Sequence, residues 1–153
     1  MTKTFISTFL LGIFCGFIHA TPIAVEIVKN KNGYQLLRGG KPYYIQGAGG
    51  TVHLDKLKSY GGNSIRTWGV DANTDKILDE AEKEGLTVTF GIWMGQERQG
   101  FDYSNEEAVK TQLEMFRQTV RKYKDHPAIL MWGVGNEMDL DYSNFDVWKH
   151  LEE

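Results

Sequence analysis

Cysteine is almost missing from this chain. The one thiol, Cys15, lies inside the first 20 residues, so everything after it needs no disulfide and tolerates an oxidising compartment. Proline is scarce as well, at three residues, and no low-complexity tract, internal repeat or long linker divides the sequence. No cluster of Lys or Arg occurs. With 17 basic and 20 acidic side chains the net charge is −3, which gives no support for binding nucleic acid or an anionic membrane. No grouping of His, Cys and Asp has the spacing of a metal site, and Gly47 to Gly50 lacks the Lys-Ser/Thr of a phosphate-binding loop. The reading therefore assigns no cofactor and no metal.

What is present begins with a leader. Lys3 is followed by an apolar stretch from Phe5 to Ile18, and Ile18-His19-Ala20 ends in a small residue. This is the pattern of a secretory signal peptide over 1–20 and implies a secreted or periplasmic protein. The stretch is shorter than the roughly 20 residues of a membrane helix, which makes an uncleaved anchor the lesser reading. Bulky Phe14 before Cys15 speaks against a lipid anchor. Without Lys3 the charge becomes −4, and no membrane contact is expected after cleavage. The remainder suffices for one domain with a real core. The four Trp, seven Tyr and eight Phe of the whole sequence suit either packing or carbohydrate platforms.

The sequence next predicts a hairpin lead-in over 21–42. Val25 to Val28 and Tyr34 to Leu37 are short strands around Lys31-Asn32-Gly33, and Arg38 to Pro42 makes a second turn. From residue 43 a rhythm sets in. Strands are expected at Tyr43 to Gly47, Asn63 to Gly69, Leu86 to Trp93 and Ile129 to Val134. Helices fall between them at Leu54 to Tyr60, Thr74 to Glu84 and Asn105 to Tyr123, and a fourth opens near Asn144. Thr74 is the expected cap of the second helix and Gly85 its stop; Asn105 caps the third, whose apolar face is Val109, Leu113, Phe116 and Val120. Strand–helix alternation with short spacers implies parallel strands. The fold class is α/β, read as the first half (about four βα units) of a TIM (β/α)8 barrel truncated within 43–153, because such barrels need about 250 residues. A flavodoxin-like sheet is the structural alternative.

In a barrel the carboxyl ends of the strands share one mouth, where chemistry is done. The chain places there Gly49, Gly50 and His53, then Arg66 and Trp68, then Trp93, Gln96, Glu97 and Arg98, and finally Asn136 and Glu137. The last pair ends the apolar run Ile129 to Val134 after Gly135 and is the most informative signal in the sequence. An acid, an amide, a fixed cation and two indoles suit polyhydroxylated substrates.

The motifs Asn63-Ser-Ile-Arg-Thr-Trp68, His126-Pro127 and Trp132-Gly-Val-Gly-Asn-Glu137 resemble the N-terminal half of the clan A retaining glycoside hydrolases, most of all the barrel domains of family 2, with family 5 close behind. The resemblance covers nearly all of residues 25 to 150. It implies that Glu137 is the general acid/base, with a pKa raised by burial and by a partner carboxylate. It also implies that Asn136 holds the sugar 2-hydroxyl, that Arg66 orients the nucleophilic carboxylate, and that Trp93 and Trp68 stack on sugar rings. His53 is a weaker substrate-binding candidate. The family's nucleophile is a glutamate at the seventh strand, which this chain does not reach.

The expected function is thus hydrolysis of O-glycosyl bonds in a β-linked oligo- or polysaccharide, on a piece that lacks the nucleophile. The rival is a non-catalytic carbohydrate-binding half-barrel, or an inactive product of a truncated gene. Dimerisation would cover the two open sheet edges such a piece exposes. Ordinary roles stay open beside the functional ones: Arg66 as an ion-pair former, Trp68 and Trp93 as core aromatics, Trp132 as core, Glu97-Arg98 as a surface pair, and His126 as a helix end.

Overall fold

The computed structural model describes residues 21–31 and 33–153. The expected leader and Asn32 of the first turn lie outside them. The described residues form seven strands and four α-helices in chain order: β1 (Val25–Asn30), β2 (Gly33–Arg38), β3 (Lys41–Pro42), β4 (Gly47–Gly49), α1 (Leu54–Ser59), β5 (Ser64–Arg66), α2 (Thr74–Lys83), β6 (Thr87–Ile92), α3 (Glu106–Tyr123), β7 (Ile129–Val134) and α4 (Asp146–Glu152). Among the described residues no helix is long and apolar enough to cross a membrane.

β1, β2 and β3 form an antiparallel sheet in which Asn30 opposes Gly33, as the turn signal demands. The other four strands are all parallel and lie in the order of the chain, β4-β5-β6-β7. That order excludes the flavodoxin-like alternative, which would place the second strand outside the first. Consecutive neighbours joined through helices are what a (β/α)8 wall requires. The hairpin sheet meets this wall at the amino ends of its strands. Arg38 donates to the Pro127 carbonyl just before β7 (2.9 Å), and the Tyr43 hydroxyl bonds the Asn63 carbonyl (2.9 Å) and Thr87 Oγ1 (3.0 Å). The carboxyl ends stay uncovered by it.

Two expectations need correction. The first barrel strand does not start at Tyr43. Residues 43–46 are held by the Asn63 side chain, whose Oδ1 accepts from Gln46 N and whose Nδ2 donates to Tyr44 O, each at 2.8 Å. A side-chain amide thus does the work of a strand partner, and the ladder begins only at Gly47 opposite Ser64. Thr74 does not cap α2 forward. Its Oγ1 accepts instead from Asp71 N (2.9 Å), and Asn73 takes the cap position. Asn105 does cap α3, accepting from Ala108 N at 3.1 Å.

The core lies between the sheet and its helices. Leu54, Ile65, Leu78, Val88, Phe90 and Ile92 are among its buried members, and Trp132 packs against them as a core aromatic. A second cluster, with Met94, Val109, Met138 and Val147 buried, lies beyond the strand ends and joins α3 and α4 to the loops.

β5 and β6 approach unusually closely. A Cβ on Gly91 would collide with the Thr67 carbonyl and the Trp68 backbone, while Gly91 N–H donates to Thr67 Oγ1 at 2.9 Å. Both obstacles are main chain and cannot swing aside. Gly91→Ala is therefore expected to destabilise the fold by about 1–3 kcal/mol through overpacking. Urea unfolding measures this; an unchanged midpoint would mean that the strands part without cost.

Candidate active site

β7 ends at Val134, and Gly135 N–H closes on the Ile92 carbonyl (2.9 Å). Gly135 adopts φ +71°, and a Cβ there would come within 2.9 Å of Met138 Cγ, so both conformation and space call for glycine. The chain then turns and delivers Asn136 and Glu137 at the carboxyl edge of the sheet. Glu137 itself is left-handed, at φ +50°, an uncommon conformation for a residue with a side chain.

The structure brings part of the predicted set together. Arg66 is the last residue of β5, and its guanidinium donates to Asn136 Oδ1 at 3.1 Å. It also lies 5.7 Å from the centre of the Trp68 ring, on which it stacks as a cation on a π face. The Trp68 ring lies over Gly49, where any side chain would press into the indole. Gly49, Arg66, Trp68 and Asn136 therefore form one cluster, with Glu137 next in the chain to Asn136, and Trp68 is 42% exposed within it.

Trp93 and His53 are placed elsewhere. Trp93 lines a groove of about 550 Å³ with Gly95, Phe101, Ala108, Gln112 and Met115, against the flank of α3. His53 is exposed and left-handed (φ +59°) at the start of α1, and among the described residues its ring makes no hydrogen bond or ion pair.

Glu137 lacks the surroundings that the resemblance implies. Its side chain is 58% exposed, and its close neighbour is a cation: Arg98 donates to Oε2 at 3.0 Å. Arg98 also donates to the carbonyls of Glu137 (2.9 Å) and Leu140 (3.4 Å). Residues 97 and 98 are thus not a surface pair with each other. Glu97 points away from Arg98 and accepts from Ser143 N (2.7 Å), Ser143 Oγ (3.2 Å) and Asn144 N (3.1 Å). Those bonds, the Asn144 N–H first, hold its carboxyl below the ordinary glutamate range. Gln96, 2% exposed, donates from Nε2 to the Asn136 carbonyl (2.5 Å). Its Oε1 is buried without a partner among the described residues, a cost borne beside the site. The sequence placed all three at the mouth without showing that they grip the 136–144 loop.

Among the described residues one grouping, Asp79, Glu82 and His126, brings three possible metal donors within 4.8 Å of one another. It sits between α2 and the turn before β7, on the side away from the mouth. Ala128 N–H donates to His126 Nδ1 (3.2 Å), which leaves the proton of a neutral ring on Nε2, facing Asp79 and Glu82. That Nε2 lies 3.5 Å from Asp79 Oδ1, and Glu82 Oε2 stands farther off at 3.8 Å.

Four parallel βα units in chain order, with Arg66 and Asn136 meeting at the strand ends, define the class: one wall of a (β/α)8 barrel. Residues 70–152 match the family described as "Glycosyl hydrolases family 2, TIM barrel domain". The chain belongs to that family. Among curated relatives it is 29% identical over 136 residues to the beta-glucuronidase of Mus musculus, covering 74% of this chain and 19% of the relative. To the beta-glucuronidase of Felis catus it is 28% identical over 136 residues, covering 78% and 20%. The chain thus spans about a fifth of the length of the curated relatives it matches. Among solved structures, β-glucuronidase from Ruminococcus gnavus in complex with uronic deoxynojirimycin superposes with a TM-score of 0.65 at 18% identity, over 85% of this chain and 24% of that one. That superposition establishes the partial barrel fold.

Proposed function

We propose that this chain carries the acid/base side of a glycoside hydrolase site that cleaves β-linked sugars, with β-glucuronides as the substrate class. The observation that carries the reading is the Arg66–Asn136 hydrogen bond beside Glu137 at the carboxyl edge of the sheet. The substrate class is supported by the relatives, which are β-glucuronidases.

In this reading Glu137, protonated, gives its proton to the glycosidic oxygen as the bond to the anomeric carbon breaks, and later takes one from the attacking water. Asn136, fixed by Arg66, presents its amide to the sugar 2-hydroxyl, a bond that strengthens as the ring becomes oxocarbenium-like. Trp68 offers an exposed indole face. The nucleophilic carboxylate of the retaining pair is assigned to none of residues 21–153. The protein is proposed to act outside the cytoplasm, on the strength of the leader-like segment over 1–20.

The test uses protein made from the complete reading frame and two substrates, p-nitrophenyl β-glucuronide and p-nitrophenyl β-glucoside. The expected result is hydrolysis of the glucuronide with at least tenfold preference, and a first-formed sugar of β configuration by proton NMR. Preference for the glucoside rejects the substrate class. An α-configured first product rejects the retaining mechanism, and inertness to both substrates rejects the enzyme.

A further inference from the structure

The geometry points to a positioning clamp: Gln96, Glu97 and Arg98, three consecutive residues after β6, grip the loop from Asn136 to Asn144 and so aim the Glu137 carboxylate. Its catalytic consequence rests on the function proposed above; its structural content does not.

The contacts divide the loop among the three side chains. Gln96 takes the carbonyl of Asn136 at the loop's start. Arg98 takes the carbonyls of Glu137 and Leu140 and the Glu137 carboxylate in the middle. Glu97 takes the Ser143 and Asn144 amides at its end, where α4 is about to begin. No two of them hold the same residue.

The loop needs such a grip. It carries two left-handed residues with side chains, Glu137 and Asp141, both at φ +50°. Backbone in that state persists only where its surroundings over-determine it. Leu140, between them, is 48% exposed and contributes no anchor of its own. Packing fixes Met138, which is buried, and Tyr142, whose ring meets that of Trp148 edge to face. Polar contacts from one short segment, Glu97–Gln99 being a 3-10 turn, therefore set the path of the rest. The opposite charges of Glu97 and Arg98 suit their tasks: an anion receives two backbone N–H groups, and a forked cation spans two carbonyls and a carboxylate. Lysine cannot span all three.

The experiment is amide hydrogen exchange on the whole chain with Glu97→Gln, Arg98→Gln and Arg98→Lys, followed by kinetics on p-nitrophenyl β-glucuronide. Arg98→Gln is expected to speed exchange at Leu140, and Glu97→Gln at Ser143 and Asn144, by at least tenfold. Val88, whose N–H is bonded to Ala128 O inside the sheet, should exchange as in the parent. Arg98→Lys should recover part of the protection. In kinetics Arg98→Gln should lower kcat on the order of ten- to a hundredfold with a smaller change in KM, as misplacement of a reacting group does. Unchanged loop exchange, or an equal rise at Val88, overturns the clamp. Loosened loop amides with unchanged kcat overturn its aiming role. A parent protein that hydrolyses nothing defeats the proposed function, while the exchange data still decide the clamp.

Discussion

Glu137→Gln is expected to lower kcat on an aryl β-glucuronide by roughly 10²- to 10⁴-fold, the usual worth of a positioned general acid/base. That corresponds to about 3–5 kcal/mol of lost transition-state stabilisation. The substitution is nearly isosteric. The Gln carbonyl still accepts from Arg98, so the loop path and the bonds to the Glu137 and Leu140 carbonyls should survive. What is lost is the transferable proton. KM should stay level or fall, because a glycosyl intermediate that no base helps water to attack accumulates. Azide attacks the anomeric carbon without surrendering a proton and should restore turnover, giving a β-glucuronosyl azide. Unfolding stability should stay within about 0.5 kcal/mol of the parent, since the side chain is 58% exposed. Parent-like turnover in the Gln variant would remove Glu137 from the mechanism.

The sequence revealed most where burial forces a pattern. β7 is an apolar run closed by glycine, and Ile129 to Val134 was legible to the residue because such a run is the pattern of a parallel strand. α3 was legible for the same reason, through its apolar stripe and its Asn105 cap. Legibility failed where side chains replace backbone. Nothing about Tyr43 to Gln46 betrays that the Asn63 amide, far along the chain, stands in for a strand.

At the site the same division holds. Arg66, Trp68 and Asn136 could be placed together from strand ends, because β5 and β7 fix where their last residues emerge. Trp93 could not. One position beyond the end of β6 the backbone is free to turn, and the indole faces α3 instead. Glu97 and Arg98 were visible as charges at the mouth. Their partners, Ser143, Asn144 and Glu137, follow only from the fold of two loops about 40 residues apart.

Phe90→Ala is expected to cost about 3–5 kcal/mol, the usual penalty for emptying an aromatic site in a packed core. Phe90 is 1% exposed at the middle of β6. Its ring lies 5.3 Å from that of Tyr123 on α3, tilted 41°, and 5.2 Å from that of Trp132 on β7, edge to face at 76°. The ring therefore ties helix to sheet and strand to strand at one point. Domains are stable by only about 5–15 kcal/mol, so the variant should melt on the order of 10–20 °C lower. The edge-to-face geometry adds a sharper test. A double-mutant cycle with Trp132→Leu should return a coupling of about 0.5–1.5 kcal/mol beyond the loss of buried area. Strict additivity would mean that the two rings share a core without recognising each other. The register makes coupling the physical expectation: Phe90 opposes Trp132 directly, and two residues on Ile92 opposes Val134, the last rung before Gly135 turns the chain toward Glu137. A core that loosens at Phe90 thus loosens the rung that sets how far the Arg98 side of the mouth stands from the carboxylate it holds.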